Sequence, residues 1–268
     1  MSEWSREEKL DPGRRLINDV FMCVEPAYGF GIFWVDMEKA HQLTQYLKEV
    51  SAIPVTYLHL FIRACGLALA RYPQVHAMID GDRRILHPAT VDIGVSAAGA
   101  TNYAPVVLLR SVDQKDLATL VRELQEGATK ARDEEQEFLR KLGVIGRFLP
   151  FRWLRRMLVR FAFRFAKVRR AVAGNFQITC LPEEIIVPFR LTTTALMGIG
   201  QVRERPAVVE GRVVPRKSVY IAIPVDHRVV DGKVPMLFAY EVIRLMENPH
   251  LLVENTPLHE AGSAALKN

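Results

Sequence analysis

With 268 residues, 49% of them apolar, the chain can bury one large core, and a two-layer α/β domain of this length needs no second domain beside it. No run of eighteen or more uncharged apolar residues occurs, and Glu3, Glu7 and Glu8 are foreign to a signal peptide, so a soluble or peripheral, cytoplasmic protein is expected. Cys23, Cys65 and Cys180 are odd in number and lack metal-ligand spacing, which reads as free thiols in a reducing compartment with no metal required.

Residues 1–13 are polar and read as an N-terminal arm. Arg14 and Arg15 then precede an alternating apolar run from Val20 to Val35, which Pro26, Gly29 and Gly31 divide into one or two strands with a turn. Helical spacing runs from Met37 to Val50 and again from Tyr57 to Arg71, with Thr56 as N-cap. His59, set among Leu58, Leu60, Phe61 and Ile62, is expected to be a packing residue. Val75 to Leu86, broken at Asp80-Gly81-Asp82, predicts a hairpin, and Thr90–Ala97 and Pro105–Leu109 predict two further strands. Leu117, Leu120, Val121, Leu124 and Ala128 predict a long helix over 117–132.

Residues 138–170 hold eleven of the 36 Lys and Arg and none of the 30 Asp and Glu. The rest of the chain, with 25 basic residues against 30 acidic ones, is itself acidic, so the basic character belongs to one segment. Without a recognised binding module elsewhere, nucleic acid is not an expected partner. After Pro150 a helical wheel puts Phe151, Leu154, Leu158, Phe161 and Phe165 on one face and Arg152, Arg155, Arg156, Arg160 and Lys167 on the opposite one. Aromatics below and arginines above fit attachment in the plane of an anionic membrane, with the protein peripheral at its inner face. Docking on an acidic partner protein and packing against a neighbouring subunit remain open for the same helix.

Asn175 to Leu181 reads as a strand, in which Thr179 taken alone is an ordinary strand residue. Val202 to Val214 predicts a hairpin turning at Glu210-Gly211. The apolar strand Val219–Val225 then leads into Asp226-His227-Arg228-Val229-Val230-Asp231-Gly232, and an amphipathic helix follows from Val234 to Met246. A histidine at a strand end, with an acid four residues on and then a glycine, is an arrangement that can aim a base into a cleft. Imidazole titrates near neutrality, so His227 can take a proton from a thiol or hydroxyl, with Asp231 in the charge network around it. An isolated motif of this length is equally read as a surface histidine in a turn. A polar tail spans 253–268.

The run 226–232 resembles the active-site signature of the dihydrolipoamide acyltransferase component of 2-oxo-acid dehydrogenase complexes. Other stretches match that catalytic domain in order: Pro73–Gly81, Val91–Val95, Ala195–Gly200 with Arg205-Pro206, and Glu247-Asn248-Pro249. The resemblance covers residues 14–252, with 138–170 as a basic amphipathic insertion. It implies a chloramphenicol acetyltransferase-like fold: an α/β two-layer sandwich, a mixed sheet with helices packed on one side, assembled as a homotrimer. It also implies coenzyme A as substrate and a site at the trimer interface, with the histidine of one subunit facing a hydroxyl residue of the next. On that carry-over His227 is the general base and Thr179, in the place of the family's serine, holds the oxyanion. Asp231 is structural, paired with an arginine, for which Arg14 and Arg15 are the candidates.

The chain departs from the family pattern at Gly99–Ala104 and at Cys180 and Pro182, which implies a different acceptor shape. It also shows no lipoyl-lysine motif and no swinging linker, so no lipoyl group is expected in this chain. The functional expectation is a coenzyme A-dependent acyltransferase acting on a thiol or hydroxyl acceptor, at a membrane surface. The alternatives are an orthodox dihydrolipoamide acyltransferase component working in trans, and a catalytically silent trimeric scaffold.

Overall fold

The computed structural model describes residues 4–9, 28–51, 53–81, 83–96, 104–148, 151–185 and 192–253. In chain order the strands are β1 (Trp4–Lys9), β2 (Tyr28–Asp36), β3 (Met78–Asp80), β4 (Arg84–Pro88), β5 (Ile93–Ser96), β6 (Val106–Leu109), β7 (Phe176–Cys180), β8 (Leu196–Ile199), β9 (Arg203–Val209) and β10 (Arg212–Asp226). The helices are α1 (Glu38–Val50), α2 (Tyr57–Arg71), α3 (Leu117–Asp133), α4 (Glu135–Phe148), α5 (Arg152–Phe163), α6 (Ala166–Ala173), α7 (Lys233–Glu247) and the single turn α8 (His250–Val253).

β10 explains the layout. Val213, Val214, Val219, Tyr220, Ile221, Ile223 and Val225 favour an extended chain along its whole length, but its two halves have different surroundings. The outer half folds back on β9 through Glu210 and Gly211, whose φ angles of 50° and 79° give the turn that matches strand twist. The inner half is buried and lies between β2 and β8, antiparallel to both. β7 runs parallel to β8 and β5, and β6 closes the order β2-β10-β8-β7-β5-β6. The sheet is therefore mixed, as expected. Leu43 and Leu47 of α1, Leu60 and Phe61 of α2, Leu120 of α3 and Phe238 of α7 pack with Ile178, Ile221 and Ile223 of the sheet in one core. Each such buried side chain contributes about 1.5–3 kcal/mol.

Three sequence expectations differ from the structure here. Part of the predicted arm is strand β1, which pairs with β4 in a separate sheet ordered β1-β4-β3. Residues 5–9 of it are exposed, so main-chain pairing, the Ser5 hydroxyl donating to the His87 carbonyl at 3.0 Å and the Glu7–Arg84 contact at 3.6 Å hold it, and no apolar pattern announces it. The basic helix is broken into α5 and α6, because the Asp80 carboxylate accepts the Ala166 N–H at 2.7 Å and starts a new helix there. Phe165 and Lys167 therefore leave the register of α5. At the far end Val253, assigned to the polar tail, is buried in α8, while 254–268 lie outside the described residues.

His59 is buried as expected, and its Nδ1 also accepts the Thr56 N–H at 3.0 Å at the start of α2. Burial lowers its pKa to about 4, and burial, reinforced by His87, lowers that of His76 to about 4. An unfolded histidine binds its proton near pH 6.5, so between about 6.5 and 4 the unfolded chain holds protons that the folded chain does not. Stability is then full above about pH 6.5 and declines as the pH falls towards 4, by up to about 3 kcal/mol per ring. Urea unfolding at pH 7 and at pH 4.5 reads this directly, and equal midpoints would refute neutral burial of the two rings.

Candidate active site

The ladder between β10 and β2 runs to its end, pairing Val225 with Gly29 and Asp226 with Tyr28. There the chain turns: the N–H groups of Val229 and Val230 both donate to the Asp226 carbonyl, at 3.0 and 3.2 Å. The Asp226 side chain holds the same turn from the other side. Its Oδ1 accepts the Arg228 N–H at 3.0 Å, Arg228 Nε donates to both oxygens at 2.9 and 3.1 Å, and Nη2 donates to Oδ2 at 2.6 Å. Asp226 is 4% exposed, so this charge-assisted pair forms with little competition from water. It leaves His227, the residue between them, on the opposite side of the turn.

His227 is half-buried at an apolar cleft of about 480 Å3 that Phe30, Phe33, Met236 and Leu237 help to line. Its Nε2 lies over Gly29, where an added Cβ would stand 2.3 Å from that nitrogen. Gly29 is therefore the space the imidazole occupies. Nδ1 lies 3.8 Å from Oδ1 of Asp231, four residues on at the end of the turn, which is an electrostatic distance rather than a hydrogen bond. Gly232 has helical dihedrals (φ −49°, ψ −30°), and nothing lies within 4 Å of a Cβ built on it, so this chain alone does not require glycine there. An imidazole with a dry wall on one side and a carboxylate beyond its Nδ1 can act as a general base.

Thr179 sits elsewhere. It is half-buried on β7, opposite Gly198 of β8, which in turn stands opposite Ala222 of β10. His227 lies five residues beyond Ala222, so the two side chains are separated by about 10 Å across the strands and about 16 Å along them. One protomer does not bring them together. Arg14 and Arg15 lie outside the described residues, as does the side chain of Arg152. Arg155 is half-buried, Arg156 and Phe165 are exposed, and Phe161 is 62% exposed, while Arg160 stands on the wall of a second cleft. The residue that sequence reasoning missed is Asp226, whose only signal was an acid two positions before an arginine at a strand end.

The family model for the 2-oxoacid dehydrogenases acyltransferase (catalytic domain) matches residues 31–138 and 186–254. The intervening stretch, 139–185, holds α5, α6 and Thr179, so the resemblance around Thr179 lies outside that match. Among similar proteins, the dihydrolipoyllysine-residue succinyltransferase component of the 2-oxoglutarate dehydrogenase complex of Haemophilus influenzae is 27% identical over 211 residues, covering 76% of this chain and 43% of that one. The chain thus spans about half the length of the curated relatives it matches. Among solved structures, a probable dihydrolipoamide acetyltransferase from Listeria monocytogenes aligns with a TM-score of 0.66 at 20% identity, covering 95% of this chain and 98% of that one. A chloramphenicol acetyltransferase aligns with a TM-score of 0.51 at 15% identity, covering 90% of this chain and all of that one. These likenesses establish the fold.

Proposed function

The chain belongs to the family of 2-oxoacid dehydrogenase acyltransferase catalytic domains, and from that membership we propose that it is a coenzyme A-dependent acyltransferase with His227 as its general base. The observation that carries this reading is the placement of the His227 imidazole at the apolar cleft, on a turn clasped by Asp226 and Arg228. Nε2 removes the proton from the acceptor thiol or hydroxyl, and the resulting anion attacks the carbonyl carbon of the acyl thioester. The tetrahedral oxyanion collapses, the C–S bond breaks, and the imidazolium returns its proton to the departing coenzyme A thiolate. Asp231 supports the positive ring electrostatically, with Arg14 or Arg15 as its ion-pair partner.

The separation of Thr179 from His227 within one protomer favours a homotrimer, in which Thr179 of a second copy donates its hydroxyl to the oxyanion. A donor so placed is worth about 3–4 kcal/mol of transition-state stabilisation. In this reading residues 14–252 form the catalytic domain and 138–170 its chain-specific part. The test is thiol release from a panel of acyl-coenzyme A donors, with free dihydrolipoamide, hydroxyl and amine acceptors offered separately. Turnover with dihydrolipoamide supports an orthodox component acting in trans, and turnover with another acceptor supports a distinct acyltransferase. A folded trimer silent with every acceptor would refute both in favour of a scaffold.

A membrane-surface setting rests on a separate observation. No helix among the described residues is long and apolar enough to cross a membrane, but α5 and the residues beside it expose Phe151, Trp153, Met157, Phe161 and Phe165 next to Arg156 and Arg160. Phe161 and Phe165 stack edge to face at 5.3 Å, which carries the aromatic surface across the break to α6. Flotation with anionic liposomes should recover the protein, and Arg155→Glu with Arg156→Glu should abolish the recovery. Failure to float would remove the membrane setting and leave docking on an acidic partner protein or packing against a neighbouring subunit.

A further inference from the structure

Strand β3 is held on one side by the turn that carries His227 and on the other by α6. Side chains alternate along a strand, so Ala77 and Ile79 face one way and Met78 the other, with Ile85 and Leu86 of β4 divided in the same manner. On the first face Ala77, Ile79 and Ile85 pack against Val229, two residues beyond His227. On the second face Met78 and Leu86 pack with Ala166, the first residue of α6. Polar contacts repeat the arrangement. From the turn side, the Thr194 hydroxyl donates to the Ala77 carbonyl while the Thr194 carbonyl accepts the Asp226 N–H at 2.8 Å. From the α6 side, the Asp80 carboxylate accepts the Ala166 N–H at 2.7 Å and the Gly81 N–H donates to the Arg164 carbonyl at 3.0 Å. Arg169 completes this side, donating from Nη1 to the Phe163 carbonyl and from Nη2 to the Ile79 carbonyl. β3, Thr194 and the turn lie inside the family match, whereas α6 lies outside it.

We propose that Arg169 is a positioning residue for His227, acting through β3. The inference rests on His227 as the general base of the proposed acyl transfer. A hydrogen bond from a charged donor is about twice as strong as a neutral one, so the Ile79 carbonyl is fixed more firmly than by a ladder bond. The Ile79 side chain then presses on Val229, whose N–H donates to the Asp226 carbonyl at 3.0 Å across the turn. A close-packed interior passes such a displacement on instead of absorbing it. The guanidinium also lies in the field of the pair that clasps the turn: burial lowers its pKa most and Arg228 adds to that, while Asp80, Asp226 and Tyr28 oppose it. A segment peculiar to this chain thereby sets the placement of a base that belongs to the family part of the fold.

The test compares Arg169→Met, Arg169→Lys and Ile79→Val with wild type in the full chain. Arg169→Met should lower kcat about tenfold with KM near wild type, a fraction of the roughly 100-fold that a 1 Å misplacement costs. Arg169→Lys, which keeps the charge and a donor for the Ile79 carbonyl, should return most of the loss. Ile79→Val shortens the contact with Val229 and should lower kcat in the same direction, and the loss in Arg169→Met/Ile79→Val should be smaller than the product of the single losses because both act on one contact. The second readout needs no turnover: the ring resonances of His227, identified by their absence in His227→Ala, should shift in Arg169→Met. If wild type transfers no acyl group, the acyl-transfer reading fails, and the resonances still decide whether Arg169 places the ring. Should Arg169→Met fail to fold, the resonances of Ile79→Val decide in its stead. Unmoved resonances in a folded variant, or single losses that multiply in the double variant, overturn the proposal.

Discussion

Replacing His227 by alanine should lower acyl transfer by about 10²–10⁴-fold, the range a positioned general base contributes, or roughly 3–5 kcal/mol in the barrier. The fold should survive, because the turn is held by Asp226 and Arg228 rather than by the imidazole, which is half-buried. A companion substitution separates position from chemistry. Gly29→Ala keeps the histidine but places a methyl group 2.3 Å from where Nε2 now lies, so the ring must move. The Gly29 backbone does not need a positive φ, so alanine is compatible with the β2 ladder and the damage falls on the ring. Displacement of a catalytic group by about 1 Å costs on the order of 100-fold, and kcat should carry the loss while the unfolding midpoint stays near wild type. Steady-state kinetics on both variants with unchanged turnover would sink the assignment of His227.

Arg170→Met should cost about 3 kcal/mol of stability, a large share of the 5–15 kcal/mol that holds a domain folded. Asp92 is fully buried, and Arg170 reaches its Oδ2 from Nε at 3.0 Å and from Nη2 at 2.8 Å, with Nη2 also donating to Thr90 Oγ1 at 2.8 Å. Burial pushes the Asp92 carboxyl upward in pKa, but Arg110, the Ser111 N–H and Arg170 together outweigh it and hold the group below its ordinary value. Without Arg170 the carboxylate keeps Arg110, whose side chain is 51% exposed, and the Ser111 N–H, which is why the expected cost lies at the lower end for a broken buried pair. For a chain of this size the melting temperature should fall by about 6–12 °C. Pairing the change with Asp92→Asn removes the stranded charge and should restore part of the loss. A shift below about 2 °C for Arg170→Met would show that Asp92 does not depend on it. The consequence reaches beyond stability, because Arg170 ties α6, which lies outside the family match, to the strand end at Asp92.

Much of this was legible along the chain, and the reasons differ by residue. Glu210-Gly211 announced its hairpin because a two-residue loop with positive φ is a local demand on the backbone. Helices α1, α2, α3 and α7 showed in apolar spacing because each buries one stripe in the common core. The break between α5 and α6 did not show, since the group that sets it, Asp80, lies 86 residues from Ala166. Strand β1 was hidden for a related reason: its partner is β4, and main-chain hydrogen bonds leave no mark in composition.

The site divides along the same line. The sequence by itself determined the chemistry at hand: an imidazole at the end of an apolar strand, an acid four residues on, and a basic segment with every charge of one sign. These are properties of neighbouring residues, and neighbours in the chain stay neighbours in space. Only the tertiary structure decided that Asp226 clasps Arg228 and turns His227 towards Gly29, that Thr179 stands two strands across the sheet from the strand that ends at His227, and that arginines from α5 and α6 meet Arg228 across one cleft. Those outcomes depend on strand order and on contacts between distant segments, which are settled by the packing of the whole core rather than by any local stretch of it.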